Sequence, residues 1–457
     1  MKLDRSIKPS ASIKLNFILP EVENFKLDNA LEVIYVKRSS LPILRLNLVV
    51  NGGTKTDPIS KKGLANLFTL MIDEGAGEYN GLELMDEFDI LGTNFDLSCN
   101  NDGIYAGLRT LSENADRSIE LFSKVITKPH FDDTSFAREK RKVLTRMIQL
   151  KDDPEEIASS VFEYIVLGKE DPYSYPIIGY EDDINNISIE DIKKFYSSYF
   201  VPNNSALIAV GDITKEELAE KLNSYLGDWK PRALDLESYK PNLKESPGIF
   251  LVHKKDSVQS EIRIGHISEE RNEVDYFQRT LLNNILGGQF SSRINLNLRE
   301  DKGYTYGAFS RFNYFKECAF FYASTSVGIE NTGNAVKEII NELNKVREGV
   351  TEEELKFAQL STIGKYPASF ETNQQIAHNL TTQYLYDLPS DYFQTYLDRM
   401  RDVSIGQVNK SANEHIHPGK LVILVVGDKE KIIPQLREII PDKITELDYL
   451  GNEITVI

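Results

Sequence analysis

Apolar positions along the chain switch between two spacings. "EVIYVKRSSLPILRLNLVV" (Glu32–Val50) and "GIYAGLRT" (Gly103–Thr110) alternate with a period of two and predict strands. "NADRSIELFSKVITKPHF" (114–131) and "DTSFAREKRKVLTRMIQLKDDPEE" (133–156) place apolar residues three and four apart, which predicts amphipathic helices. Pro154 either closes the second of these or opens the next helix at its first turn. "GLANLFTLMIDEG" (Gly63–Gly75) reads as a helix that is apolar on more than one side and ends in a Gly-Ala-Gly turn.

The pattern then repeats. "SIEDIKKFYSSYFVPNNSALIAVGD" (Ser188–Asp212) overlays "SIGQVNKSANEHIHPGKLVILVVGD" (Ser404–Asp428) without a gap at an offset of 216 residues, with seven of twenty-five positions identical. Each copy predicts a helix, a Pro-containing turn, an apolar strand and a Val-Gly-Asp stop. Glu32–Val50 overlays Gly248–His266 at the same offset, and Gly103–Thr110 overlays Ala319–Ser326. The expected architecture is α+β: two homologous domains from a tandem duplication, each a mainly antiparallel sheet with helices packed on one face. The expected boundaries are an N-terminal domain over 1–232, a linker over 233–247 rich in Pro and charge, and a C-terminal domain over 248–457.

Composition narrows the partners. A formal charge of −17 argues against a nucleic-acid backbone, which needs a basic surface. That charge serves solubility; the other reading is an acidic cavity that attracts basic peptides. Cys99 and Cys318 lie far apart and outside any C-x-x-C pattern, which disfavours a disulfide framework or a thiolate zinc site. No run is long enough for a membrane span: "LVILVVG" (Leu421–Gly427) is the size of one buried strand. "MKLDRSIKPSASIK" has charge but no apolar stretch behind it, so the expected compartment is the cytoplasm, or the periplasm if the N-terminus has been trimmed. His415 and His417, two apart before the last apolar run, would share a face of an extended segment; a solvated turn is the simpler expectation than a metal site there. "DEGAGEYNG" and "LGGQFSSR" lack the context of a nucleotide loop.

Several phrases together resemble the pitrilysin/insulinase (inverzincin) family of zinc peptidases, in its two-domain, mitochondrial-processing-peptidase-like branch. They are "FKLDNALEVIYVKR" (Phe25–Arg38), "GLANLFTLM", "AREKRKVLTRMIQLKDDP" (Ala137–Pro154), "DPYSYPIIGYEDDINNIS", "FVPNNSALIAVGD" and "LGGQFSSRINLNLREDKGYTYGAFS" (Leu286–Ser310). Active members carry H-x-x-E-H on the first-domain helix: residues four apart share a face and hold one Zn²⁺, the Glu serves the attacking water, and a distal Glu completes the ligands. Here Asn66 and Leu70 stand at the histidine positions, Thr69 at the base and Arg146, 76 residues after Leu70, at the distal ligand. An amide, a hydroxyl, an isobutyl group and a guanidinium cannot assemble a zinc site, so no metal and no other cofactor is expected in this chain.

"LREDKGYTYG" (Leu298–Gly307) keeps a different part of the family pattern. Arg299 and Tyr306 stand seven apart with Gly303 between them. Taken alone, the pair is better read as an Arg bonded to a nearby acid and a Tyr packed on a strand. The resemblance implies that such a pair reaches a zinc centre, the Arg as a planar fork for carbonyl or carboxylate oxygens and the Tyr as donor to an oxyanion. The implied protein is the non-metal subunit of a heterodimeric zinc metallopeptidase, inactive alone. Its partner is a homologous subunit with the intact motif and its Zn²⁺, and the two hold an unfolded peptide as a strand on a sheet edge. In the family that edge belongs to the zinc domain; its equivalent here is "NFDLSCN" (Asn94–Asn100). Two alternatives are a proteolytically inactive structural or assembly subunit and a homodimeric peptide-binding clamp.

Overall fold

The computed structural model describes residues 18–457 apart from 235–238, 240, 242, 272–273 and 440–442. The N-terminal stretch considered for targeting lies outside the described residues, as does part of the expected linker. The linker residues that are described form neither helix nor strand.

The first half builds a six-stranded sheet from β1 (Glu23–Lys26), β2 (Glu32–Lys37), β3 (Ile43–Asn51), β4 (Asn94–Cys99), β5 (Gly103–Leu111) and β6 (Ser205–Gly211), in the order β1-β2-β6-β3-β5-β4. The second half builds a seven-stranded sheet from β7 (Gly248–His253), β8 (Gln259–Ser268), β9 (Ala308–Tyr314), β10 (Ala319–Gly328), β11 (Val422–Gly427), β12 (Ile444–Leu447) and β13 (Glu453–Val456). Its order is β9-β10-β8-β11-β7-β12-β13. The 216-residue offset carries β2 onto β7, and brings β3, β4, β5 and β6 onto β8, β9, β10 and β11 within one or two residues at their ends. Even the single parallel pair inside the repeat recurs, β2 with β6 and β7 with β11; the other neighbours in the repeat are antiparallel. β12 and β13 extend the second sheet beyond the repeat, β12 lying parallel to β7.

Each half packs its own helices on one face of its sheet. In the first, Ala115–Thr127 and the short helix Leu64–Thr69 bury Leu121, Phe122, Leu67 and Phe68 against Leu46, Leu48 and Leu108. The opposite face of each sheet is covered by a helix from the other half. Pro154–Leu167 lays Ile157, Val161 and Phe162 on Phe320, Leu424 and Val426 of the second sheet. Its counterpart in the repeat, Asn373–Leu385, lays Ile376, Ala377 and Leu380 on Ile34, Val49 and Ile208 of the first. This reciprocal exchange explains why β6 and β11 are buried at every position and read as continuous apolar runs rather than alternating ones.

Several local expectations resolve in detail. Pro154 opens a helix, with Asp153 capping it by accepting from the N–H groups of Glu155 and Glu156. The helix expected over Gly63–Gly75 is shorter: it spans Leu64–Thr69 and gives way to turns before Gly75. His415 and His417 do not share a face. His415 ends the helix Ile405–His415, is buried, and its Nε2 lies 2.6 Å from Asp275, whereas His417 turns toward His266. The expectation of a solvated turn fails at His415 because the preceding helix carries it into the second core.

Candidate functional site

The short helix Leu64–Thr69 is anchored by Asp57, whose carboxylate accepts from the N–H of Gly63 (2.8 Å) and of Ala65 (2.9 Å). Burial pushes the Asp57 carboxyl up to about 7. Gly63 has φ +92° and its Cα lies so close to the Ile178 carbonyl that a Cβ would come within 2.6 Å of it. The helix is thus held firmly, but what it presents is not a ligand set. Thr69 is buried and donates its hydroxyl to the carbonyl of Ala65 at 2.8 Å, inside its own helix. Leu70 is 38% exposed. Asn66 faces Cys99 of β4, whose thiol lies 4.0 Å from its carbonyl oxygen and is pushed up to about 12 by burial. Arg146, on the helix Asp133–Leu150, is exposed and bonds to Gln149 at 3.3 Å. Neither nitrogen nor carboxylate donors converge here, so these four positions do not fit zinc.

Arg299 lies in a wide turn of π-helix, Leu296–Asp301. Gly303, at φ +66° in open space, ends it, as the chain must turn sharply toward β9. Arg299 stacks over Phe290 of the "GGQFSSR" stretch at 4.4 Å and its Nε lies 3.4 Å from Glu300. Tyr306 is 95% exposed, and among the described residues its hydroxyl has no hydrogen-bond partner and its ring no ring contact. The structure brings neither Arg299 nor Tyr306 into contact with Asn66, Thr69, Leu70 or Arg146.

Both sheets end in a strand with a free edge. Among the described residues β4 pairs only with β5, and β9 only with β10. The tips of these two hairpins meet: the N–H of Lys316 donates to Asp102 at 3.0 Å, and Lys55 binds both Asp102 and Glu317. Beside this junction lies a cleft of about 560 Å³, lined by Asn100, Met147 and Ile157 from the first half and Asn313, Phe315 and Leu450 from the second. Glu163 also faces the cleft; burial pushes its carboxyl up to about 7, against the pull of the Arg311 guanidinium. Sequence reasoning missed Asp57 and Glu163, since neither belongs to a motif and only the fold buries them. Among the described residues, the set that comes nearest to metal-binding geometry is Glu269, Asp275 and His415. There the short His415–Asp275 contact and the Arg279–Asp275 ion pair at 2.7 Å already account for the central carboxylate.

A two-sheet duplication with a degenerate H-x-x-E-H helix defines a metallopeptidase-like chain without its metal. Two family models agree: Insulinase (Peptidase family M16) matches residues 32–167, and Peptidase M16 inactive domain matches 186–361. Together they take in more than half of the chain, which belongs to the insulinase, or M16, peptidase family. Among its relatives, "Non-peptidase homolog YmxG" of Helicobacter pylori is 24% identical over 87% of this chain and 92% of that protein. "Zinc protease PqqE" of the same organism is also 24% identical, over 89% of this chain and 92% of that protein. In three dimensions the chain is similar to a peptidase M16 inactive domain from Pseudomonas fluorescens, with TM-score 0.82 and 25% identity over 89% of this chain and 98% of that one. The residues at its four zinc-motif positions, Asn66, Thr69, Leu70 and Arg146, are not those of the zinc-binding members of that family. No helix among the described residues is long and apolar enough to cross a membrane.

Proposed function

We propose that this chain is the non-metal subunit of a two-chain zinc peptidase. It holds unfolded peptide and supplies Arg299 and Tyr306 to the site of a zinc-bearing homologous partner. The observation that carries the reading is Tyr306, whose ring and hydroxyl stand almost wholly in solvent with no partner among the described residues. Tyrosine is enriched where a protein meets another molecule, since its ring and hydroxyl then both find partners. Arg299, seven residues earlier in the π-helical turn, has its guanidinium over the Phe290 ring. In the complex Arg299 orients a peptide carbonyl or carboxylate, and Tyr306 donates to the oxygen that gains charge. The free edges of β4 and β9 offer backbone groups to which an extended peptide adds as a strand.

The test is reconstitution with a homologous chain that carries the intact zinc motif. This chain alone cleaves nothing, and the pair cleaves an unfolded peptide. Tyr306→Phe lowers kcat by about 10²-fold, the scale of one lost oxyanion donor, with both subunits still associated. Full activity from the Arg299→Ala/Tyr306→Phe pair would overturn the reading in favour of an assembly subunit or a homodimeric clamp.

A further inference from the structure

The cleft beside the hairpin junction takes its walls from both halves and includes neither Arg299 nor Tyr306. Met147, Ile157, Ile177, Phe315 and Leu450 give it an apolar lining, and Ile177 and Leu450 are still 38% and 37% exposed there. Its volume of about 560 Å³ falls in the range that encloses a small organic molecule. Apolar surface left open in a concavity is stabilised when a ligand displaces its water, by about 25 cal/mol per Å².

Carboxylates outnumber cations on these walls. Among the described residues Glu156, Glu163 and Glu181 line the cleft against the one ammonium of Lys151. That ammonium is already engaged: it lies 3.0 Å from Glu181 and over the Tyr449 ring at 5.4 Å. Neither the Glu156 nor the Glu163 carboxylate has a hydrogen bond or an ion pair among the described residues. Glu156 is exposed, and Glu163, two turns further along the same helix, is half-buried.

The groups around Glu163 leave it without a partner. Arg311 of β9 attracts it but makes no ion pair with it, and stacks on the Phe309 and Tyr322 rings at 5.5 Å each. Arg263 of β8 is held by Glu261 at 3.2 Å. The Tyr322 phenol is itself pushed up by burial and stays neutral. A carboxylate set in an apolar wall is penalised when charged, which is why Glu163 titrates at about 7. A cation brought into the cleft offsets that penalty, and the apolar lining favours one with an apolar body.

We infer that the cleft binds a small organic ammonium compound, its apolar body against Ile157, Ile177, Phe315 and Leu450 and its ammonium on the Glu163 carboxylate. An anionic ligand of the same shape meets like charge from Glu156 and Glu163. The site stands whether or not the chain joins a peptidase.

The probes are phenylbutylamine, phenylbutanol and phenylbutyrate, which share one body and differ in charge, titrated into the full chain by calorimetry. At pH 8 the amine is expected to bind at about 1 mM or below, and the alcohol and the acid at least about tenfold more weakly. An aliphatic amine stays charged from pH 6 to pH 8, whereas Glu163 must lose its proton to hold it. Amine affinity therefore falls about tenfold from pH 8 to pH 6, with proton release seen as a heat that depends on the buffer. In Glu163→Gln that pH dependence disappears and the amine binds no better than the alcohol, whose unchanged affinity shows that the cleft is intact. Ile177→Ser/Leu450→Ser weakens the amine and the alcohol alike, about threefold or more. Equal binding of amine and alcohol by the parent, amine binding that ignores pH or Glu163→Gln, or no binding at about 10 mM would overturn the assignment. So would tighter binding of a peptide amide with one lysine between leucines, which would give the cleft to a polypeptide side chain.

Discussion

Lys55 of the first half lies 2.8 Å from Glu317 of the second, and 3.1 Å from Asp102 in its own half. The hydroxyl of Tyr173 donates to Asp102 at 2.6 Å and also contacts Glu317, and Tyr173 is fully buried. These groups sit where the tips of the two edge hairpins meet, so the junction of the halves is polar and satisfied rather than greasy. Removing only the cation leaves two carboxylates facing each other with little water. Lys55→Met is expected to destabilise the fold by about 3 kcal/mol, read as a lower urea midpoint. Lys55→Met/Glu317→Gln should recover part of that loss, because one unpaired charge goes with it. A midpoint unmoved by Lys55→Met would show that the junction contributes nothing.

The exchanged helices make a second prediction. Phe162 of Pro154–Leu167 is 1% exposed and stands between Phe320 and Tyr322 of the second sheet, with ring centroids 6.0 and 5.9 Å away. Phe162→Ala removes a core ring at a contact between the halves and is expected to cost about 3–5 kcal/mol. Because each half covers one face of the other, calorimetry of the parent chain should show one transition, not two. Two separate transitions in the parent would mean that the exchanged helices do not couple the halves.

The exchange also marks how far the fold is legible in the sequence. The 216-residue offset is visible in Ser188–Asp212 and Ser404–Asp428, and strand order follows it closely, since a duplicated pattern folds to a duplicated sheet. The spacing of Ile157, Val161 and Phe162 says only that this helix has an apolar face; a periodicity carries no address, and the face closes on the distant sheet. β12 and β13 lie outside the repeat and had no second copy to reveal them. At the site, Asn66, Thr69, Leu70 and Arg146 were legible because a motif specifies side-chain types. The helix Asp133–Leu150 was legible as a charged helix, but its Arg138 pairs with Glu74, 64 residues earlier, which no local pattern announces.

Glu163 gives a prediction in pH. Its folded carboxyl titrates at about 7, above the ordinary 4.5, because burial penalises the charged form. The folded state therefore holds a proton there that the unfolded state has already released. This contribution to stability is fully present below about pH 4.5 and is lost as pH rises through about 7. Glu163→Gln keeps the shape and never ionises. The variant should match the parent near pH 4.5 and exceed it by about 2 kcal/mol at pH 8, in urea titrations at both values. A constant difference across that range would mean that Glu163 does not titrate in the window.

The last prediction restores what the first-half helix lacks. Positions 66 and 70 lie four apart, one turn of helix, and so share a face even though the helix closes at Thr69. Replacing Asn66→His, Leu70→His and Arg146→Glu supplies two imidazoles and a carboxylate, and removes a guanidinium that would repel the ion. Thr69→Glu adds the base, but Thr69 is 4% exposed and bonded within its own helix, so a carboxylate there is expected to cost about 2 kcal/mol or more. After dialysis against buffered zinc, the three-ligand variant should retain about one zinc per chain by elemental analysis, and the parent none. Arg146→Glu alone should also retain none, since one carboxylate facing an amide and an isobutyl group is not a site. Zinc retained by the parent in whole-number ratio would show that the chain binds metal somewhere other than this helix. Failure of the three-ligand variant to bind would show that the helix and Arg146 do not stand in the relation the motif requires.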